Sequence, residues 1–371
     1  MKITCDREKL LAAFQMAAAV APARSPKPIL QNVKLQVTEN SSILMATDLE
    51  IGIRIAVEGV DVSAAGSAIL PIGRFGSILR ESSDTMLQIE SDGQGTVVRG
   101  ERSEFKLPGE NPDEFPVVAD FTEQKYHELP ARLLRELIRR TIFATDNESS
   151  RYALGGVLLE MTADHVTAVG TDGRRLAKME APAKSVGGHQ SGDTMTIVPS
   201  KAMQHIERSL IEADAEIQVA AHANEILVKT PRATIYSRLV EGRFPKWRDV
   251  FPNRSGVVKI ELAVGPLHSA VRQAMIVTSE ESRGVDFTFK DGSLVLSGRA
   301  AELGQSRVEL PVAYDGPEVS IKLDPRYVND FLKVLDPEGN FTLEIKDAES
   351  AAVCLTDDGY GYVIMPLASD R

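Results

Sequence analysis

Tyr126-His127-Glu128-Leu129, followed after Pro130-Ala131 by Arg132-Leu133-Leu134-Arg135-Glu136-Leu137-Ile138-Arg139-Arg140, is the stretch on which the fold turns. Its first part reads as a short strand. Its second part places Leu133, Leu134, Leu137, Ile138 and then Ile142 on one face at helical spacing, with Arg132, Arg135, Arg139 and Arg140 opposite. A strand running into an amphipathic helix is common, and it matters here because it recurs. Residues 2–4 lead into Lys9-Leu10-Leu11-Ala12-Ala13-Phe14-Gln15-Met16, and residues 257–262 lead into Pro266-Leu267-His268-Ser269-Ala270-Val271-Arg272-Gln273-Ala274. The step returns at a period of about 120 residues, the size of whole domains.

Working outward, each unit holds a second strand-to-helix step. Ala68-Ile69-Leu70-Pro71 enters a helix over 74–80, Thr196-Ile197-Val198-Pro199 one over 201–210, and Ser320-Ile321-Lys322-Leu323-Asp324-Pro325 one over 326–335. Proline suits a helix start because it has no N–H to lose there. Alternating, β-branched segments fill the remainder as strands. Each unit stops at an apolar-proline pair: Phe115-Pro116, Phe244-Pro245, Met365-Pro366. The expected class is α+β, with three similar domains over residues 1–124, 125–255 and 256–371, each with two helices on antiparallel sheets. Linkers are expected near 120–125 and 252–256.

Charge separates the helices from everything else. The six expected helices carry twelve basic residues against five acidic ones, in a chain whose net charge is −11. Basic solvent-facing helices are ordinary taken one at a time. Six of them in three repeats fit a cationic inner surface inside an anionic exterior, which would hold a polyanion by its phosphates without reading bases.

Other classes are disfavoured. No apolar run reaches the roughly 18 residues a membrane helix needs. Cys5 and Cys354 give neither a disulfide framework nor zinc spacing, which fits a reducing cytoplasm. Lys2 and the apolar residues 10–21 imitate a signal peptide, but Asp6 and Glu8 are wrong for its basic leader. No nucleotide-binding, serine-hydrolase or zinc-protease motif is present, and no metal or cofactor is expected. Asp48, Asp172 and Asp357-Asp358 could be read as metal carboxylates of a phosphoesterase, although Thr-Asp-Gly is also plain turn chemistry. A structural β-rich repeat protein would explain the repeats and the acidity, but not the basic helices.

Thr171-Asp172-Gly173-Arg174-Arg175-Leu176, Leu239-Val240-Glu241-Gly242-Arg243-Phe244-Pro245 and Tyr362-Val363-Ile364-Met365-Pro366-Leu367 resemble motifs of bacterial DNA sliding clamps. Pro28-Ile29-Leu30, Thr47-Asp48-Leu49-Glu50 and Arg283-Gly284-Val285 match too, so the resemblance runs from end to end. It implies a non-catalytic processivity factor in the cytoplasm: a head-to-tail homodimer closed into a ring around double-stranded DNA. Its implied partners are a clamp loader, the replicative polymerase catalytic subunit, and other polymerases and repair proteins carrying a linear motif. The resemblance implies DNA contacts at Arg24, Arg80 and Lys201, with Arg74 and Arg151 near them. It implies a peptide pocket walled by Leu154, Thr171, Gly173, Arg174, Arg175, Leu176, Pro245, Val250, Tyr327, Val363, Ile364, Met365, Pro366 and Leu367. Met adapts to several partners, and a small apolar pocket suits a short motif with few anchors.

Departures from the family's pattern mark this chain. Arg174 stands where His is usual, Ser282 where some relatives have an aromatic lid, and Glu148 where a neutral Gln would face DNA. Residues 368–371 run past the usual end. At the expected dimer edge, Phe105, Leu107, Ile276 and Val277 supply apolar contact. Glu104 and Arg307 have each taken the sign opposite to their surroundings, so they are expected to pair across the dimer.

Overall fold

The computed structural model describes residues 1–92, 94–146, 148, 153–191, 195–251, 255–279 and 283–368. The chain falls into two compact units. One is Met1–Arg135 with Met161–Asp164 and Ala183–Val240; the other is Glu136–Glu160 with His165–Pro182 and Glu241–Arg371.

All six expected helices form: α1 Arg7–Ala18, α2 Ile72–Glu81, α3 Ala131–Arg139, α4 Ser200–Ser209, then, after a short α5 at Trp247–Val250, α6 Val264–Ala274 and α7 Pro325–Lys333. Their starts follow local chemistry. Asp6 caps α1 by accepting from the Glu8 and Lys9 amides (2.9 and 3.0 Å). Asp324 caps α7 through the Arg326 amide, with Pro325 inside the first turn. Pro71 and Pro199 sit one place earlier, as the caps of α2 and α4.

In the first unit, a five-stranded sheet runs Val60–Ala64, Lys2–Asp6, Met86–Ser91, Gly95–Arg99, Glu104–Pro108. A nine-stranded sheet begins Lys184–Val186, Tyr126–Pro130, Glu216–Ala221, Glu225–Lys229, Ala233–Arg238, and continues through Ile51–Ala56, Ser42–Thr47, Asn32–Val37 to Gly66–Pro71. The last strand of the second repeat therefore pairs with the fourth strand of the first repeat, Ser237 opposite Ile51 through Ala233 opposite Ile55. Phe14 of α1 meets Phe75 of α2 at 5.0 Å between ring centres.

The second unit repeats the device. A sheet passes from Gly156–Met161 through His165–Thr171, Arg175–Pro182, Gly361–Ile364, Ala352–Leu355 and Asn340–Ile345 to Val258–Ala263. Here the last strand of the third repeat pairs with the fourth strand of the second, Arg175 opposite Ile364 through Lys178 opposite Gly361. A four-stranded sheet, Gly304–Pro311, Ser293–Ala300, Val285–Lys290, Val319–Leu323, completes the unit. Among the strands at the sheet ends are Glu104–Pro108, last in the first repeat, and Gly304–Pro311, fourth in the third repeat.

The arginine face of α3 is smaller than the periodicity predicts. The helix ends at Arg139, and the Arg140 side chain is only 13% exposed. It pairs with Glu136 and Asp358 and lies over the Tyr360 ring at 5.3 Å. Helical spacing cannot see a partner brought in by a distant turn, so Arg140 leaves the set of solvent-facing cations.

Buried histidines make the first unit sensitive to acid. His127 Nε2 faces the Thr162 carbonyl (2.5 Å) and must carry a proton. Its Nδ1 is then an acceptor, so His189 Nδ1 donates to it at 2.7 Å, and His189 Nε2 accepts from the Ala221 amide at 3.0 Å. Burial holds His189 below its usual pKa. His205 on α4 is pushed down to about 4 by burial and then by Lys201 and Arg208. Both pKa values are depressed on folding. Their stabilising effect is therefore complete above the unfolded value of about 6.5 and disappears as pH falls through the folded one. For His205 the loss reaches about 3 kcal/mol. Thermal unfolding recorded from neutral pH down to about pH 4 should show a falling midpoint, and His205→Leu should flatten that fall.

Candidate functional site

The centre of the site is the turn Thr171–Arg175, which joins strands His165–Thr171 and Arg175–Pro182. Thr171 Oγ1 donates to the Arg175 carbonyl (2.6 Å) and accepts from the Gly173 amide (3.1 Å). Asp172 Oδ1 accepts from the amides of Arg174 and Arg175 (2.9 and 3.0 Å). Gly173 takes φ +84°, a left-handed backbone that favours glycine. Thr47-Asp48-Leu49-Glu50 builds the same turn in the first repeat. Asp48 Oδ1 accepts from the Glu50 and Ile51 amides (3.0 and 2.7 Å), and Leu49 takes φ +79° without being glycine.

Arg175 braces this turn and ties it to two other segments, α7 and the stretch at Phe143. Its Nε donates to Asp172 Oδ2 (2.9 Å), Nη1 to Asp330 Oδ2 on α7 (2.8 Å), and Nη2 to the Phe143 carbonyl (2.7 Å). The guanidinium lies 4.4 Å from the Tyr327 ring centre, and the side chain is 10% exposed. Tyr362 donates to the Tyr327 carbonyl (3.1 Å) and stacks on Phe331 at 5.1 Å. Burial is the main cause that raises the Tyr362 pKa well above the ordinary tyrosine value, although Arg175 opposes it.

Backbone bonds then fix the C-terminal residues. The Met365 amide donates to the Arg174 carbonyl (2.9 Å), and the Leu367 amide to the Lys322 carbonyl (2.8 Å). Phe251, directly after α5, packs over Gly361 so closely that a Cβ there would lie 3.2 Å from its ring. Arg248 of α5 forks onto both oxygens of Glu160 (3.0 and 2.7 Å), and Trp247 Nε1 donates to the same carboxylate (3.2 Å). Gly242 packs against Ala153, beside Leu154.

The expected pocket residues therefore gather in one unit, but they divide by burial. Leu154, Thr171, Leu176, Val363 and Ile364 are buried behind the surface, and Gly173 and Arg174 face solvent. Val250 and Met365 are exposed apolar side chains, Met365 at 45%, with Pro245, Tyr327, Pro366 and Leu367 half-buried around them. Arg175 supports the wall from within. Sequence reasoning missed Asp330, Phe143 and Phe331. The only local signal was Asp172, sitting beside two arginines. Neither Asp48, Asp172 nor Asp357-Asp358 joins a cluster able to hold a metal among the described residues.

Four of the expected DNA residues, Arg24, Arg74, Arg80 and Lys201, lie in the first unit. Arg24 is exposed in the loop after α1. Arg74 and Arg80 lie on the exposed face of α2, Arg80 donating to Ser77 Oγ (3.2 Å). Among the described residues no carboxylate pairs with any of the three. Lys201 differs, its Nζ lying 2.6 Å from Asp48 Oδ2. Arg151 and Ser282 lie outside the described residues, as do 369–371 of the C-terminal extension. Glu148 is exposed, its amide donating to Asp146 Oδ1 (2.9 Å).

The expected dimer residues lie on or beside two of the open-edged strands. Phe105 and Leu107 are on Glu104–Pro108, Arg307 on Gly304–Pro311, and Ile276 and Val277 in the turn after α6, Ile276 at 76% exposure. Beside Phe105 is a hollow of about 560 Å³ lined by Ser77, Ile78, Glu81 and Asp84 among others. Glu104 and Arg307 already have partners within the chain. Arg99 (2.8 Å) and Lys106 (3.4 Å) hold Glu104 and keep its carboxyl below the usual range, while Arg307 meets Glu309 at 3.2 Å. Glu104 ends a ladder of alternating charge that starts at Lys2 and passes through Glu90 and Arg99.

Family models for the N-terminal, central and C-terminal domains of the DNA polymerase III beta subunit match residues 1–119, 128–246 and 248–368. The beta sliding clamp of Chlamydia pneumoniae is 30% identical, over 99% of this chain and 99% of its own. That of Pseudomonas aeruginosa is 31% identical, over 99% of this chain and 100% of its own. A crystal structure of the Pseudomonas aeruginosa DnaN sliding clamp bound to griselimycin superposes with a TM-score of 0.92 at 29% identity, each chain covered fully.

Proposed function

Since the chain belongs to the DNA polymerase III beta-subunit family, we propose how its surfaces serve the work of a sliding clamp. It is a non-catalytic subunit that confers processivity on DNA polymerase III. Its domains span 1–124, 125–255 and 256–371. It closes head-to-tail into a homodimeric ring around duplex DNA in the cytoplasm. A clamp loader, the replicative polymerase and other DNA-processing proteins with a linear motif bind the pocket around Met365 and Val250.

One observation carries the ring. Twice within the chain, the last strand of one repeat pairs with the fourth strand of the repeat before it. Glu104–Pro108 and Gly304–Pro311 are the two strands of that kind left with an open edge. A second copy supplies the missing partner for each, so the same joint is made twice more and the chain of joints closes. Topology then keeps the ring on DNA, and individual contacts can stay weak. No helix among the described residues is long and apolar enough to cross a membrane.

Loading onto nicked circular plasmid followed by linearisation tests this reading. The protein should be retained on the circle and slide off the linear form; retention on both would overturn topological linkage. Light scattering should give a mass near twice the 40.4 kDa chain. Replacing Arg24, Arg74 or Arg80 with alanine should weaken duplex binding whatever the sequence. For every phosphate that a variant no longer neutralises, the slope of log affinity against log salt should become shallower by about 0.9. Unchanged slopes would remove those residues from the DNA face.

A further inference from the structure

Lys201 is the one described cation assigned to DNA whose charge is already taken. Its Nζ sits 2.6 Å from Asp48 Oδ2, with the lysine 54% exposed and the carboxylate only 13% exposed. The carboxylate is fixed, because its other oxygen is held by the Glu50 and Ile51 amides and the neighbouring Thr47 hydroxyl donates to the Ile51 carbonyl (2.8 Å). The corresponding turn of the central repeat shows why the second oxygen is available. There Asp172 Oδ2 takes the guanidinium of Arg175, four residues after the threonine. In the first repeat that place is Ile51, which has no charge to offer, and the oxygen takes the cation from α4 instead.

We propose that Asp48 is a positioning residue that competes with DNA phosphate for Lys201, so that this lysine grips the duplex only by leaving its carboxylate. The inference rests on the reading of Lys201 as a DNA contact. Carboxylate and phosphate are both oxyanions, and a lysine more than half exposed can exchange one for the other. A ring held by topology gains from such a contact, because each phosphate passes without being trapped. Asp48 sets how firmly the inner face holds DNA, although its own charge repels phosphate.

Asp48→Asn tests the idea, since the amide oxygen can keep the turn's two backbone bonds while the charge is lost. Binding of a short fluorescein-labelled duplex to the full-length protein is followed by anisotropy across salt concentrations. Asp48→Asn should bind roughly two- to fivefold tighter, with a slope against log salt steeper by about 0.9. Adding Lys201→Ala should erase both gains. Unchanged affinity and slope, or a gain that survives Lys201→Ala, would overturn the proposal. A merely structural pair would lower the melting temperature in Asp48→Asn and leave the slope alone, which also counts against it. Arg24→Ala and Arg80→Ala separate the two readings. If they weaken binding while Asp48→Asn does nothing, only the competition fails; if they too do nothing, the DNA face itself is wrong.

Discussion

Arg175→Ala is expected to destabilise the protein by roughly 3–5 kcal/mol. The residue is buried and donates in three directions, to Asp172, Asp330 and the Phe143 carbonyl. Removing it leaves two carboxylates close together without their shared cation, and one carbonyl without its donor. The loss should appear as a fall of roughly 10 °C in melting temperature, since 1 kcal/mol shifts the midpoint by about 2–4 °C in a body of this size. Arg175→Lys should recover only part, because one ammonium cannot reach three acceptors in a plane. Calorimetry of the three proteins checks this. The same variant should also bind a clamp-binding peptide less tightly, as Met365 is registered through the Arg174 carbonyl next door. A midpoint within a degree or two of the parent would show that the tie is dispensable.

Ile276→Asp is expected to convert the ring to single chains. The side chain is largely exposed in one copy, so the folded chain should tolerate the change. In the proposed ring it is an apolar anchor near the open edge of Gly304–Pro311. A charge placed there typically costs 2 kcal/mol or more per contact, and a closed ring of two has two such contacts. Light scattering should move from about twice 40.4 kDa to a single mass at the same protein concentration. A persistent dimer with unchanged melting would place the contact elsewhere. The charge-swap test of the same joint must be modified. Arg307→Glu should loosen the dimer, but Glu104→Arg would crowd Arg99 and Lys106 with a third cation, so the double variant should recover only partly.

The architecture was legible because the sequence repeats its own grammar. Strand, helix, four or five strands and a second helix recur, and α1 to α4, α6 and α7 each start within a few residues of their expected place. The four-residue α5 was not legible, since too few residues carry a period and Lys246 supplies no cap. The turn at Thr171–Arg175 could be read from Thr-Asp-Gly alone, because its bonds lie within five residues. Its neighbours could not. Asp330 is 155 residues from Arg175, and Asp358 is 218 from Arg140, so no local pattern foretells either pairing. The same limit hides the pairing of Lys201 with Asp48, which belongs to another repeat.

The two unsatisfied strand edges are different surfaces, so nothing in their hydrogen bonding counts subunits. The number at which assembly stops is set by the angle through which each copy turns the next. A substitution that altered that angle by bending a linker, without touching either edge, would leave the joint intact and yield an open, growing polymer in place of a discrete particle.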